Sequence, residues 1–147
     1  MLQNILSGTA GDFTGDDLLK LIYSTKRGYR AGASFMLNMM TLFKVRTMKD
    51  SEGNYLWRPG LQEGQPSQLL GYGVTENEDM PTAAADAHAV AFGNFQRGYT
   101  IVDRIGTRVL RDPYTNKPYV GFYTTKRVGG MLTDSQAIKV LTLSAAD

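Results

Sequence analysis

Apolar positions in the first third of the chain recur at helical spacing. Leu18, Leu21, Ile22 and Thr25 fall three and four residues apart and form one face. Thr14 stands three residues before Asp17, an acidic variant of the capping box, and Asp16 and Asp17 suit the positive end of a helix. The pattern predicts a helix over 15–27, closed by Gly28. Residues 7–11 before it are small and loop-like. The apolar run 33–37, bounded by Gly32 and Asn38, reads as a buried strand. Asn38 is a good N-cap for a second helix over 39–49, with Leu42, Phe43 and Val45 facing inward. Asp50, Ser51, Glu52, Gly53 and Asn54 then supply turn chemistry, in which Gly53 can take a positive φ.

Beyond this turn the spacing becomes strand-like. The expected strands are 55–57, 73–76, 89–92, 99–104, 107–111, 119–127 and 138–143, punctuated by Gly and Pro from Pro59 to Gly129. Helices followed by strands predict an α+β fold. In the segment 119–127, alternation sets Tyr119, Gly121 and Tyr123 on one face and Val120, Phe122 and Thr124 on the other. Both faces are substantially apolar, so this strand is expected to be covered on both sides.

Composition narrows the function more than the fold. The 147 residues, 42% hydrophobic and 20% charged, suit one domain or one domain with an appendage, large enough to bury roughly two-thirds of its unfolded surface without a staple. The absence of cysteine excludes thiol catalysis, disulfides and cysteine-bound zinc. There is no apolar run of membrane-spanning length, no cationic leader and no Asn-x-Ser/Thr acceptor, so the expectation is an intracellular soluble chain. Residues 1–94 hold 8 Lys/Arg against 10 Asp/Glu, and residues 95–147 hold 8 against 4. That asymmetry is too mild for a nucleic-acid footprint.

Catalytic and ligand-binding motifs do not assemble. His88 is the sole histidine, and it precedes an expected strand, so a triad or a two-histidine metal site has no second partner. Gly71-Tyr72-Gly73 opens like a dinucleotide fingerprint, but Glu76 occupies its last glycine position. Glu76, Glu78 and Asp79 lack the alternating ligands of a calcium loop and read as a solvated loop. Asp16 and Asp17 are explained by helix capping. We therefore expect no catalytic residue, no cofactor and no metal. Tyr114, Tyr119 and Tyr123, interleaved with Arg108, Arg111, Lys117, Lys126 and Arg127, suit a polar protein–protein interface better than a nucleic-acid platform.

Seven segments taken in order carry a resemblance: 42–57 (LFKVRTMKDSEGNYLW), 69–74 (LLGYGV), 80–81 (MP), 91–94 (AFGN), 99–104 (YTIVDR), 109–114 (VLRDPY) and 119–130 (YVGFYTTKRVGG). Together they resemble the C-terminal portion of the major capsid proteins of tailed bacteriophages, the family with the Hong Kong 97-type fold. That resemblance implies a (pro)phage structural protein that self-assembles as pentamers and hexamers of an icosahedral head. The virion is its implied location, with the bacterial host cytoplasm the site of assembly. It further implies scaffold, protease or portal proteins as partners, and neither a membrane nor sequence-specific nucleic acid. An encapsulin-like compartment shell is the alternative within the same fold; a small enzyme or a nucleic-acid-binding module is the alternative outside it.

The resemblance also implies a division of the chain: a leader over 1–13, an axial domain over 14–106, a peripheral hairpin over 107–128, and a returning segment with an axial strand over 129–147. The axial domain is expected to be a mixed sheet flanked by helices. The family's N-terminal arm, extended β-loop and spine helix are expected before Met1, which would leave the hairpin's aromatic faces bare. The turn Lys49, Asp50, Ser51, Glu52, Gly53, Asn54 and Tyr55 resembles the axial loop that crowds around a symmetry axis. Arg108, Arg111, Tyr114, Tyr119, Tyr123, Lys126 and Arg127 are the expected hairpin contacts. Some members join subunits by a lysine–asparagine bond; here Pro118 stands at the asparagine position and Thr125 at that of the catalytic glutamate, with Asn116 nearby. No such cross-link is expected.

Overall fold

The computed structural model describes residues 2–49, 52–55 and 68–145. In chain order its elements are β1 (Gln3–Ala10), α1 (Gly15–Ser24), the helical turn α2 (Arg27–Arg30), β2 (Ser34–Leu37), α3 (Met39–Thr47), β3 (Gln68–Leu69), β4 (Tyr72–Glu76), β5 (His88–Gly93), the helical turn α4 (Phe95–Gly98), β6 (Tyr99–Asp112), β7 (Gly121–Leu132) and β8 (Ile138–Ser144). They form two compact units. One comprises residues up to Gly98 and those from Asp134 onward; the other is Tyr99–Thr133. The architecture is α+β, as the switch from helical to strand spacing predicts.

The first unit is a six-stranded mixed sheet in the order β1-β8-β5-β2-β4-β3. Pairing is parallel for β1 with β8 and for β2 with β4, and antiparallel elsewhere. The central strands β5 and β8 are buried almost throughout, as near-continuous apolar runs require. Cross-strand register lines up Leu37, Val90, Leu141 and Ile5 in one row. Beside it Phe35 pairs with Phe92, their rings 4.6 Å apart, and Tyr72 meets Phe92 edge-on at 5.0 Å. Leu18, Leu21 and Ile22 of α1 and Leu42 and Val45 of α3 complete this core.

Local chemistry explains how the helices begin and end. Asp17 is almost wholly buried at the start of α1. Its carboxylate accepts from the Thr14 N–H (3.0 Å), the Thr14 hydroxyl (3.0 Å), the Gly8 N–H (3.3 Å) and the Lys20 ammonium (3.0 Å). Burial pushes this carboxyl up, but the hydrogen bonds from Thr14, Lys20 and Gly8 outweigh it and hold it below the usual carboxylate range. The helix ends at Ser24 and not near Gly28. Ser24 and Thr25 turn their hydroxyls back onto the Leu21 carbonyl, at 2.7 and 3.3 Å, so the break precedes the glycine. Asn38 caps α3 as expected, its Oδ1 accepting from the Met40 N–H at 2.9 Å.

Three expectations need correction. Residues 7–11 are not a loop: Ser7 to Ala10 continue β1, which pairs with β8 over Gln3–Leu6 and again at Ala10, and the small side chains in between give no apolar signal. Phe43 does not face inward. It is 63% exposed, because polar and apolar side chains are mixed around α3 and Thr41, Leu42 and Val45 take the buried face. The segments 99–104 and 107–111 are one long strand, since Gly106 marks an irregularity within β6 and does not end it.

The second unit is the antiparallel hairpin β6–β7, with 14 and 12 residues in its strands. The hairpin expected over 107–128 extends further at both ends, because Tyr99 to Asp103 pair with Leu132 to Val128. Neither face is covered, contrary to what alternation in 119–127 suggests and in keeping with the bare aromatic faces that the resemblance implies: Phe122 is 66% exposed and Tyr123 70%.

Candidate functional site

The first candidate surface is the turn after α3. Lys49 and Tyr55 form an antiparallel bridge, and the Lys49 ammonium lies 5.0 Å from the Tyr55 ring centroid. Gly53 sits at φ +85° with open space where a Cβ would project, so the tip is tight and bare. Glu52, Gly53 and Asn54 are exposed, and Tyr55 is half exposed. Asp50 and Ser51 lie outside the described residues, as do Leu56 and Trp57, so the strand expected over 55–57 is described only at Tyr55.

The second candidate surface is the hairpin. Register pairs Arg108 with Thr125, Leu110 with Tyr123, and Ile105 with Arg127. Alternation along β7 therefore sets Tyr123, Thr125 and Arg127 on one face with Arg108 and Leu110. Arg111 pairs with Phe122, which places both on the opposite face with Lys126. The structure thus gathers Arg108, Tyr123 and Arg127 and separates them from Arg111 and Lys126. Lys126 is engaged by Asp103 at 2.9 Å. Tyr114 and Tyr119 belong to the tip. There the Asp112 carboxylate is held below its usual range, first by the Thr115 hydroxyl and then by the N–H groups of Tyr114 (2.9 Å) and Thr115 (3.2 Å).

Sequence reasoning anticipated bare aromatic faces on the hairpin and missed the aliphatic surface around them and the exposed face of α3. Ile101, Val109, Leu110, Phe122 and Met131 are all exposed on the hairpin, and Met39, Met40 and Phe43 are exposed on α3. The hairpin residues could have been found from strand alternation with large apolar side chains on both faces. Those on α3 could not, because the helix lacks a polar face to mark its outside.

The residues weighed for chemistry are explained locally. His88 opens β5 and its Nδ1 lies 2.8 Å from the Thr142 hydroxyl. Leu70 and Gly71, both at positive φ, make the two-residue turn joining β3 to β4, which accounts for the glycine before Tyr72. Glu78 lies in the loop after β4, where its backbone carbonyl accepts from Asn38 at 3.2 Å. Among the described residues no group of three or more His, Asp or Glu is placed to hold a metal, and no helix is long and apolar enough to cross a membrane.

Comparison with known proteins adds to this geometry. The family model described as "Phage capsid family" matches residues 3–143. The chain is 48% identical to the capsid of an empty GTA particle, covering 98% of this chain and 50% of that one, with a TM-score of 0.83. The capsid of a native GTA particle matches with the same identity and coverage and a TM-score of 0.84. A chain from Gordonia phage Cozz, 17% identical with a TM-score of 0.59, shares the fold. The chain spans about half the length of these solved chains. No curated protein matches it.

Proposed function

The chain belongs to the phage capsid family, and from that premise we propose that it is a structural shell protein that associates with copies of itself in an icosahedral head. The observation that carries the reading is the hairpin, whose long strands expose large apolar side chains on both faces. A two-stranded ribbon is marginal alone in water and needs further packing for its stability. Exposed apolar surface of this kind marks an interaction site. The 48% identity to GTA capsids over nearly the whole chain supports the same conclusion.

In this reading the six-stranded unit, which takes in β1 as well as most of the segment 14–106 and the returning strand, acts as the axial part. The hairpin, including 107–128, acts as the peripheral part. Lys49 to Tyr55 form the axial contact, where copies of Asp50 and Glu52 approach one another around the axis and Lys49 of a neighbour offsets their repulsion. Such exposed pairs contribute only about 0.2–1 kcal/mol each. The protein is not an enzyme, works in the virion, and is made and assembled in the bacterial cytoplasm, with scaffold, protease or portal proteins as further partners.

Sedimentation velocity on the purified chain over a range of concentrations tests the reading. The expected result is oligomers whose size grows with concentration, and weaker association for Asp50→Arg/Glu52→Arg, with the gap to the wild type narrowing in high salt. A chain that stays monomeric at every concentration would overturn it.

A further inference from the structure

The second of two irregularities in β6 creates a feature that the family assignment does not explain. Ile105 pairs with Arg127 and Arg108 with Thr125, so Gly106 and Thr107 stand opposite the single residue Lys126. The extra residue opens a notch lined by Ile105, Gly106, Arg108, Thr125, Lys126 and Arg127. A shallower hollow adjoins it, with Leu110 and Tyr123 in its lining. Two guanidinium groups, a hydroxyl and an aromatic ring therefore share one face. Lys126 is neutralised by Asp103, but among the described residues Arg108 and Arg127 form no ion pair.

The opposite charge lies elsewhere in the chain. The segment Tyr99–Thr133 holds six Lys/Arg against two Asp/Glu, whereas the remaining residues hold ten against twelve. The densest acidic run is Glu76, Glu78 and Asp79. All three are exposed, and none forms an ion pair among the described residues. The segment carrying them, the end of β4 and the turn after it, has a fixed shape. The Asn77 N–H donates to the Leu37 carbonyl at 3.0 Å, the Asp79 N–H to the Asn77 side chain at 3.0 Å, and the Met80 N–H to the Asn77 carbonyl at 3.2 Å. Asn38 clamps the Glu78 carbonyl. A loop already held in shape loses little freedom on docking. Met80, next in sequence, offers a thioether for the Tyr123 and Leu110 surface beside the notch.

We propose that the notch at Arg108 and Arg127 receives the acidic loop Glu76–Asp79 of a second copy of this chain. The docking rests on the self-association proposed above and names the surfaces that carry it. Guanidinium–carboxylate pairing supplies orientation and specificity, and Tyr123 supplies apolar contact.

A charge swap tests this in the purified chain by sedimentation velocity, with thermal melts showing that each variant folds. One variant carries Arg108→Glu and Arg127→Glu; the other carries Glu78→Lys and Asp79→Lys. Each alone should associate about tenfold more weakly than the wild type at low salt. An equimolar mixture of the two should recover association, because the reversed notch now fits the reversed loop. Raising salt from about 50 mM to about 0.5 M should weaken the wild type. If the wild type associates and the reversals change nothing, or the mixture fails to recover, the docking is wrong while self-association stands. A wild type that never associates removes both. Binding of a single-stranded oligonucleotide that Arg108→Glu/Arg127→Glu abolishes, with association unchanged, would assign the notch to phosphate and overturn the proposal.

Discussion

β5 and β7 are built from similar apolar material and meet opposite environments. In β5, Val90 and Phe92 are fully buried between neighbouring strands and beneath a helical layer. In β7, Phe122, Tyr123 and Val128 are exposed, with β6 their one strand neighbour. What separates the two is the number of neighbours that the topology supplies. Burial energetics should therefore dominate one unit of the isolated chain and be nearly absent from the other, and the same substitution should mean different things in each.

The largest contrast is aromatic truncation. Phe92→Ala should cost about 3–5 kcal/mol in urea unfolding, through lost transfer energy and a cavity beside Phe35 and Tyr72. A cost near zero would mean that the sheet core is not packed as described. A methyl group is the next test. At Gly93 a Cβ would overlap the Ala137 carbonyl and lie 2.7 Å from the Ile138 Cα, so Gly93→Ala should destabilise by about 1–3 kcal/mol. Gly129 has open space around it, and Gly129→Ala should show no steric penalty in the same assay.

The buried carboxylate sharpens the comparison by pH. Asp17 titrates below its unfolded value of about 3.9. Its contribution is therefore present above that value and lost as pH falls through the folded one. Asp17→Ala should cost about 1–2 kcal/mol at neutral pH, because the Thr14 and Gly8 N–H groups lose their acceptor. The gap between variant and wild type should narrow on acidification below the usual carboxylate range; a gap that does not change as the pH falls would contradict the assignment. The smallest expected effect is Phe122→Ala, within about 0.5 kcal/mol on the isolated chain. A large cost there would mean that the hairpin already has its cover.

Sequence patterns revealed elements that are defined by their own residues. The buried face of α1, from Leu18 to Thr25, and the Asn38 cap follow from spacing and side-chain chemistry that neighbours reinforce. β1 escaped because its place is set by backbone pairing to β8, more than a hundred residues away, and Ser7, Gly8 and Thr9 carry no trace of it. Among the candidate contacts, the tight turn at Gly53 was legible from its residue types. The grouping of Arg108 with Tyr123 and Arg127 was not. It depends on the extra residue near Gly106, which shifts the register of the two strands, and register is a property of the pair.

The same hairpin has a bearing on how the chain folds. β8 lies between β1 and β5, so the sheet is incomplete until a strand from beyond residue 137 arrives. Everything between α4 and that strand is an excursion whose closure costs conformational entropy, rising with the logarithm of its length. Pairing of β6 with β7 zips that excursion from its tip. It ends with Tyr99 against Leu132, next to the point where the Asp134 N–H donates to the Gly98 carbonyl at 3.3 Å. A ribbon that contributes nothing to the core would thus shorten the search for the last central strand. Weakening the Asp112–Thr115 turn at its tip should slow refolding of the sheet and leave its unfolding rate nearly unchanged, the kinetic signature of a contact formed early.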